Sequence, residues 1–256
     1  MQHIIAQWVD HLRQEHPDAV AVVLKGSHAR GEATQWSDID FDVLVSTPGT
    51  EIYRTWIEPV DGRLVHVSAG VESLHGWLAD FEEPSSWSLG LPTVETTKLL
   101  WAATDDLRSQ LDRPFKSHPA PEPEVEDTME ALGKIRSALA RSDDVGVYRN
   151  ANKLATLIPT LLVPLNPPSP VSNSRAAVNA VCNLPNVPAG FANDWLECMG
   201  YVDTRTPAST AATAERLFAG VLAMLPADPE VVGEDIARLL AGGLIRQYLD
   251  QYVRSG

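Results

Sequence analysis

Cysteine is scarce in this chain. Its 256 residues hold only Cys182 and Cys198, with no Cys-x-x-Cys pair, which points to a reducing compartment rather than a disulfide framework. Basic charge is short as well: 20 Lys and Arg stand against 34 Asp and Glu, a formal net charge of -14. Such a chain repels a phosphate backbone and lacks the clustered cations of a nucleic-acid grip. Nucleic acid is therefore not expected as a partner, and cationic or neutral partners are favoured; acidity that serves only solubility is the alternative reading. No apolar run approaches the roughly 18 residues of a membrane span. The first residues, MQHIIAQWVDHL, carry charges and an amphipathic period instead of a signal-peptide profile. A cytoplasmic protein without a membrane partner is the expectation. The histidines show no His-Glu-x-x-His or His/Cys ligand spacing, so no zinc site is expected. Internal repeats and low-complexity domains are also missing.

What remains is an ordinary globular composition, 44% hydrophobic and 21% charged, long enough for two domains with a core each. Ile4, Ile5, Trp8, Val9 and Leu12 recur at helical intervals, predicting a first helix that ends near His16-Pro17. AVAVVLKG (19–26) reads as a buried strand stopped by glycine, and residues 27–34 as a short helix. In SDIDFDVLV, Ile39, Phe41, Val43 and Val45 point one way, and Asp38, Asp40, Asp42 and Leu44 the other. One face is core and the other is chemistry. A hairpin is expected around Asp61-Gly62, a helix over about 71–81 and a short strand within 94–102. Four prolines in residues 112–124 prevent regular structure and set a boundary there. Beyond it the period is helical over about 125–142, 145–163, 173–183, 191–200, 208–225 and 230–253, a helical bundle.

The stretch KGSHARGEATQWSDIDFDVLV (25–45) carries the chemistry. Gly26-x-x-x-x-Gly31 imitates half of a Walker A motif, but Glu32 and Ala33 stand where Lys and Ser/Thr would hold phosphate and magnesium, which excludes a P-loop. Two carboxylates at i and i+2 of a strand share a face, roughly 7 Å apart. As hard oxygen ligands they suit Mg²⁺, which takes one or two carboxylates and fills its shell with water and substrate phosphates. The backbone freed at Gly26-Ser27, where a strand passes into a helix, offers donors to such phosphates. The turn and the aspartates would hold the two ends of one triphosphate.

Gly26-Ser27, ten intervening residues, then Asp38-Ile39-Asp40, with Ser-x-Ala-Arg-Gly after the turn and Ser37 before the first aspartate, resembles the signature of the DNA polymerase β-type nucleotidyltransferase superfamily. The layout is similar to that of antibiotic nucleotidyltransferases. The resemblance implies an α/β (α+β) nucleotidyltransferase domain with a small mixed sheet over 1–112, a proline-rich linker over 113–124, and an all-α helical bundle domain over 125–256. It implies that Gly26 and Ser27 bind the triphosphate and that Asp38 and Asp40 bind Mg²⁺, with ATP or another NTP as co-substrate. The family's third carboxylate falls at Val65-His66-Val67, where histidine takes the acidic slot. His66 then reads either as a general base or as a structural residue of a degenerate site, with Asp42 or Glu72 as other ways to fill the gap; Asp42, another two residues along the strand, reads rather as a solvated or salt-bridged carboxylate than as a ligand.

Arg30 is a candidate phosphate ligand or half of a surface ion pair, and Lys153 a candidate triphosphate ligand or a solvated helix residue. Glu122, Glu124, Glu126, Asp127 and Glu130 form an acidic group that either attracts an amine-bearing acceptor or is simply solvated. Trp87 and Trp101 line an acceptor pocket or belong to a core. Three functions follow from these readings. One is transfer of a nucleoside monophosphate, AMP from ATP, to a hydroxyl of a small, aminoglycoside-like acceptor with release of pyrophosphate. The others are nucleotidylation of a protein or RNA partner, and a nucleotide-binding module that has lost turnover.

Overall fold

A computed structural model describes residues 1–47, 52–82, 87–93, 96–111, 123–166, 169–203 and 205–253. The chain divides into two compact units, Met1–Ser85 with Val94–His118, and Ser86–Thr93 with Pro119–Gly256. The proline stretch expected to mark the boundary lies almost entirely outside the described residues. The sequence does not announce that 86–93 clusters with the second unit.

The first unit opens with α1 (Gln2–Glu15) and β1 (Ala19–Leu24), then α2 (Gly26–Arg30), β2 (Ile39–Val45), β3 (Ile52–Val60), β4 (Arg63–Ser73) and α3 (Leu74–Glu82). After two short strands of the second unit, β5 (Trp87–Ser88) and β6 (Leu91–Pro92), it closes with β7 (Lys98–Ala102) and α4 (Asp105–Leu111). The sheet order is β3-β4-β2-β1-β7. Only β2 and β4 run parallel; the other pairs are antiparallel, so the sheet is mixed. Asp61 (φ 50°) and Gly62 (φ 79°) turn the β3–β4 hairpin, both in the left-handed region that a tight two-residue turn requires.

Period-two alternation gives this sheet two buried faces. Val22, Leu24, Ile39, Phe41, Val43, Val65 and Val67 pack with Trp8, Val9 and Leu12 of α1. On the other face Ala21, Val23 and Leu44 pack with Trp77 of α3 and Leu107 and Leu111 of α4. Here the expected helix over 71–81 is corrected. Pairing with β2 carries β4 as far as Ser73, in register with Val45, and α3 starts only at Leu74. Apolar burial along the strand outcompetes the helical period for those three residues. The ring of Trp101 lies under the Arg13 guanidinium, 4.2 Å from it, at the edge of the α1 core.

The second unit contains α5 (Val125–Ala140), α6 (Asp144–Leu162), α7 (Ser174–Cys182), α8 (Phe191–Met199), α9 (Pro207–Leu222), α10 (Pro229–Val232), α11 (Glu234–Ala241) and α12 (Leu244–Val253). Side-chain caps start several of them: Asp143 accepts from the Gly146 amide, Asn173 from Ala176, and Thr206 forms a capping box with Ser209. The single helix expected over 230–253 is corrected to three. Gly233 (φ 82°, ψ 155°) and Gly243 (φ 65°) adopt conformations that no helix contains and that glycine tolerates.

Pro159 sits inside α6, so the carbonyl of Ala155, four residues back, loses its usual amide partner. The indole Nε1 of Trp195 donates to that carbonyl at 2.8 Å. Trp195 is fully buried among Leu154, Ile158 and Phe218. Against the same proline lies Gly90, in the turn between β5 and β6. Its φ is 69°, and a Cβ there would come to 2.7 Å from the backbone carbon of Pro159 and nitrogen of Thr160. Gly90→Ala is therefore expected to cost roughly 2–5 kcal/mol, left-handed strain added to overpacking. A urea unfolding curve followed by helical circular dichroism measures it.

Cys198 is buried on α8, and burial, with help from the carboxylates of Glu197 and Asp194, pushes its thiol up to about 12. Burial also raises Cys182, to a lesser degree. At pH 7.5 a thiol reagent should label Cys182 slowly and Cys198 only after denaturation. Above pH 9 the unfolded chain ionises Cys198 while the native chain does not, so this residue lowers stability as the pH rises through that range.

Candidate active site

The site is assembled where β1 ends. At Gly26 the chain turns with φ 63°, and a Cβ there would stand 3.3 Å from Oδ2 of Asp40. Glycine is thus required twice, for the left-handed backbone and for the close approach of a carboxylate. The Lys25 amide donates to the Asp40 carbonyl at 2.8 Å, which fastens the turn to β2. After the turn the Oγ of Ser27 and the Nε2 of His28 are buried without a hydrogen-bond partner among the described residues. Buried polar atoms in that condition are exceptional and mark places where a ligand can supply the bond.

The connection to the aspartates ties itself. Gly31 closes α2 at φ 74°. The Thr34 amide donates to Ser37 Oγ at 2.9 Å, the Trp36 amide to Thr34 Oγ1 at 3.2 Å, and Arg63 Nη1 to the Gln35 carbonyl at 2.6 Å. Asp38 follows, just ahead of β2, with its side chain half exposed. Asp40 lies on β2 in register with Ser68 of β4, whose hydroxyl donates to Asp40 Oδ1 at 2.5 Å. His66, two residues before Ser68 on the same face, places Nδ1 3.8 Å from Asp38 Oδ2, and its Nε2 is 2.5 Å from Thr55 Oγ1 of β3. Burial holds the His28 imidazole below its usual range although Asp38 and Asp40 pull it upward, so it is neutral at pH 7.

Asp42 shares the face but serves the fold. It is 3% exposed, 3.0 Å from Lys25 Nζ, and accepts from Trp77 Nε1 at 3.3 Å. Glu72 is in register with Leu44, four residues along β2 from Asp40 and so roughly 13 Å away. Neither supplies a third carboxylate beside Asp38 and Asp40. Arg30 forms an ion pair with Glu32 at 2.9 Å. Lys153 lies on α6 of the second unit, 3.8 Å from both Asp127 and Glu130, and Glu130 also pairs with Lys134 at 2.9 Å. Glu124, Glu126 and Asp127 join Glu230, Glu234 and Asp235 around a cavity of about 600 Å³ in the second unit. Glu122 and the Trp87 side chain fall outside what the structure describes.

Sequence reasoning did not single out His28, Thr55 or Ser68. The alternation of β4 would have found Ser68, since it falls on the His66 face one step farther on. Thr55 is visible only once the hairpin register is known.

Residues 5–89 match the nucleotidyltransferase domain family, and residues 124–230 the nucleotidyltransferase substrate-binding domain of the antibiotic-nucleotidyltransferase (Ant-IIb) type. The chain carries a nucleotidyltransferase domain followed by a nucleotidyltransferase substrate-binding domain. The first match spans the whole Gly26 to Asp40 constellation, and the second the helical unit from α5 to the start of α10. No curated protein matches this nucleotidyltransferase. Among solved structures, a nucleotidyltransferase-like protein from Exiguobacterium sibiricum 255-15 is similar at 12% identity and a TM-score of 0.41, over 98% of this chain and 80% of that one. At that distance it bears on neither the fold nor the chemistry. No helix among the described residues is long and apolar enough to cross a membrane.

Asp38 and Asp40 are the pair whose chemistry fits a divalent cation. Among the described residues no group of three or more His, Cys, Asp or Glu is placed to hold a metal. A pair of carboxylates suits Mg²⁺ completed by water and phosphate oxygens.

Proposed function

We propose that this nucleotidyltransferase moves AMP from ATP onto a hydroxyl of a small, cationic, aminoglycoside-like acceptor and releases pyrophosphate. The observation that carries the reading is the 3.3 Å approach of Asp40 Oδ2 to the Gly26 position. It places the turn and the carboxylate against one small volume. In the reaction the acceptor oxygen bonds to the α-phosphorus and its hydroxyl proton passes to water, while the bond from that phosphorus to the bridging oxygen breaks and pyrophosphate leaves with the electron pair. Asp38 and Asp40 would hold a divalent cation, which when bound neutralises phosphate charge as it builds on the leaving group. Gly26 lets the backbone meet the triphosphate, and the buried Ser27 hydroxyl supplies a hydrogen bond to it. His28, neutral, adds no charge that would compete for the aspartates.

The family of the second unit supports a small acceptor, and the acidic cavity wall together with the net charge of -14 supports a cationic one. The test is turnover with a panel of aminoglycosides, uncharged polyols, RNA and proteins at saturating ATP and Mg²⁺. A cationic acceptor should be modified fastest, with a KM that rises as salt shortens the Debye length to about 8 Å and below. Preferential modification of RNA or protein overturns the acceptor assignment.

A further inference from the structure

Strand β4 faces the site with His66 and Ser68, and each is aimed at a different aspartate. Ser68 is 2% exposed and bonds Asp40 Oδ1 at 2.5 Å; His66 is 3.8 Å from Asp38 Oδ2 and is itself held at 2.5 Å by Thr55. We propose that His66 and Ser68 are positioning residues that hold Asp38 and Asp40 as ligands of a single divalent cation, on the strand where a third carboxylate would support a second. This rests on the nucleotidyltransferase reading and deepens it.

Three physical points support it. Asp40 Oδ1 is engaged by Ser68, which leaves Oδ2, the oxygen beside Gly26, directed to the turn. A carboxylate that precedes its strand, as Asp38 does, has fewer backbone constraints than one within it, and the imidazole beside it limits its swing. The Thr55 hydroxyl fixes the ring in turn, by the same logic that couples a metal's carboxylate ligands to hydrogen-bond partners behind them. The other two carboxylates in reach along these strands do not contribute, because Asp42 is committed to Lys25 and Trp77, and Glu72 lies too far along β4.

The test is titration of the full-length, metal-free protein with Mn²⁺ alone, free Mn²⁺ being read by electron paramagnetic resonance and folding by thermal unfolding. Wild type should bind one Mn²⁺ per chain. Affinity should fall by about 10–100-fold in His66→Gln and in Ser68→Ala, the range for partners behind a metal ligand. Thr55→Val should show a smaller loss in the same direction. His66→Asp, which restores a carboxylate, should add a second bound Mn²⁺. A purely structural role would move the unfolding temperature and leave Mn²⁺ affinity alone. Unchanged affinity in folded His66→Gln and Ser68→Ala, two Mn²⁺ in wild type, or none, overturns the proposal. Pyrophosphate release by wild type with ATP and acceptor is scored separately, so loss of the single-cation account is distinguishable from loss of the nucleotidyltransferase reading.

Discussion

Asp40→Asn should leave a folded protein with almost no transferase activity. The substitution keeps the side chain's shape, its Oδ1 still accepts from Ser68, and the backbone bond from Lys25 to the residue 40 carbonyl is untouched. It also removes one of two neighbouring negative charges, so thermal stability should be unchanged or raised. On the proposed function, what is lost is a charged ligand for the cation that meets the triphosphate. Interactions of that kind supply several kcal/mol to a phosphoryl-group transition state, and at 1.36 kcal/mol per decade the loss corresponds to roughly a thousand-fold in kcat/KM. Steady-state kinetics with a coupled pyrophosphate assay measures it. Activity within tenfold of wild type would remove Asp40 from the site.

The largest effect on stability should come from Trp195. Truncation to Ala in a closed core costs about 3–5 kcal/mol. It also strips the Ala155 carbonyl of the partner that replaces the amide missing at Pro159. Against a total of about 5–15 kcal/mol for a domain, that is enough to leave the helical unit marginal. Trp195→Phe separates the two contributions. It retains most of the packing and loses the hydrogen bond, so a cost of about 1–3 kcal/mol is expected. Urea unfolding of both variants, monitored by helical signal, gives the comparison. A cost near zero for Trp195→Phe would show that the carbonyl finds another donor, and equal costs would show that the hydrogen bond outweighs the packing.

The local geometry of residues 25–45 was legible because its determinants are local. A glycine that must take positive φ, a period of two in β2 and the spacing between them are all visible without partners. The alternation marked the α1 face of the sheet as core, but the face expected to carry only chemistry is itself buried beyond Asp40, where Leu44 packs with Trp77, Leu107 and Leu111; helices α5 to α9 followed from their period. What escaped the sequence depended on register or on competition. Ser68 faces Asp40 only because β2 and β4 run parallel with those two residues opposed, and Thr55 reaches His66 only across the hairpin. Asp42 shares the aspartate row, but its reading as a salt-bridged carboxylate rather than a ligand holds, with Lys25 and Trp77 as its partners. The short α3 lost its first turn to strand pairing. Gly233 and Gly243 could have divided the last helix on paper, had their conformational freedom outweighed an apolar face that continues across them.

Transfer of AMP from ATP requires that the bond cut lie between the α- and β-phosphates. Incubation of wild type with Mg²⁺, acceptor and ATP labelled at either the α- or the γ-phosphate tests it most directly. Transfer of the α-label to the acceptor, with the γ-label recovered in pyrophosphate and both abolished in Asp40→Asn, is the result predicted. Appearance of the γ-label on the acceptor, or α-label transfer that persists in Asp40→Asn, would contradict it.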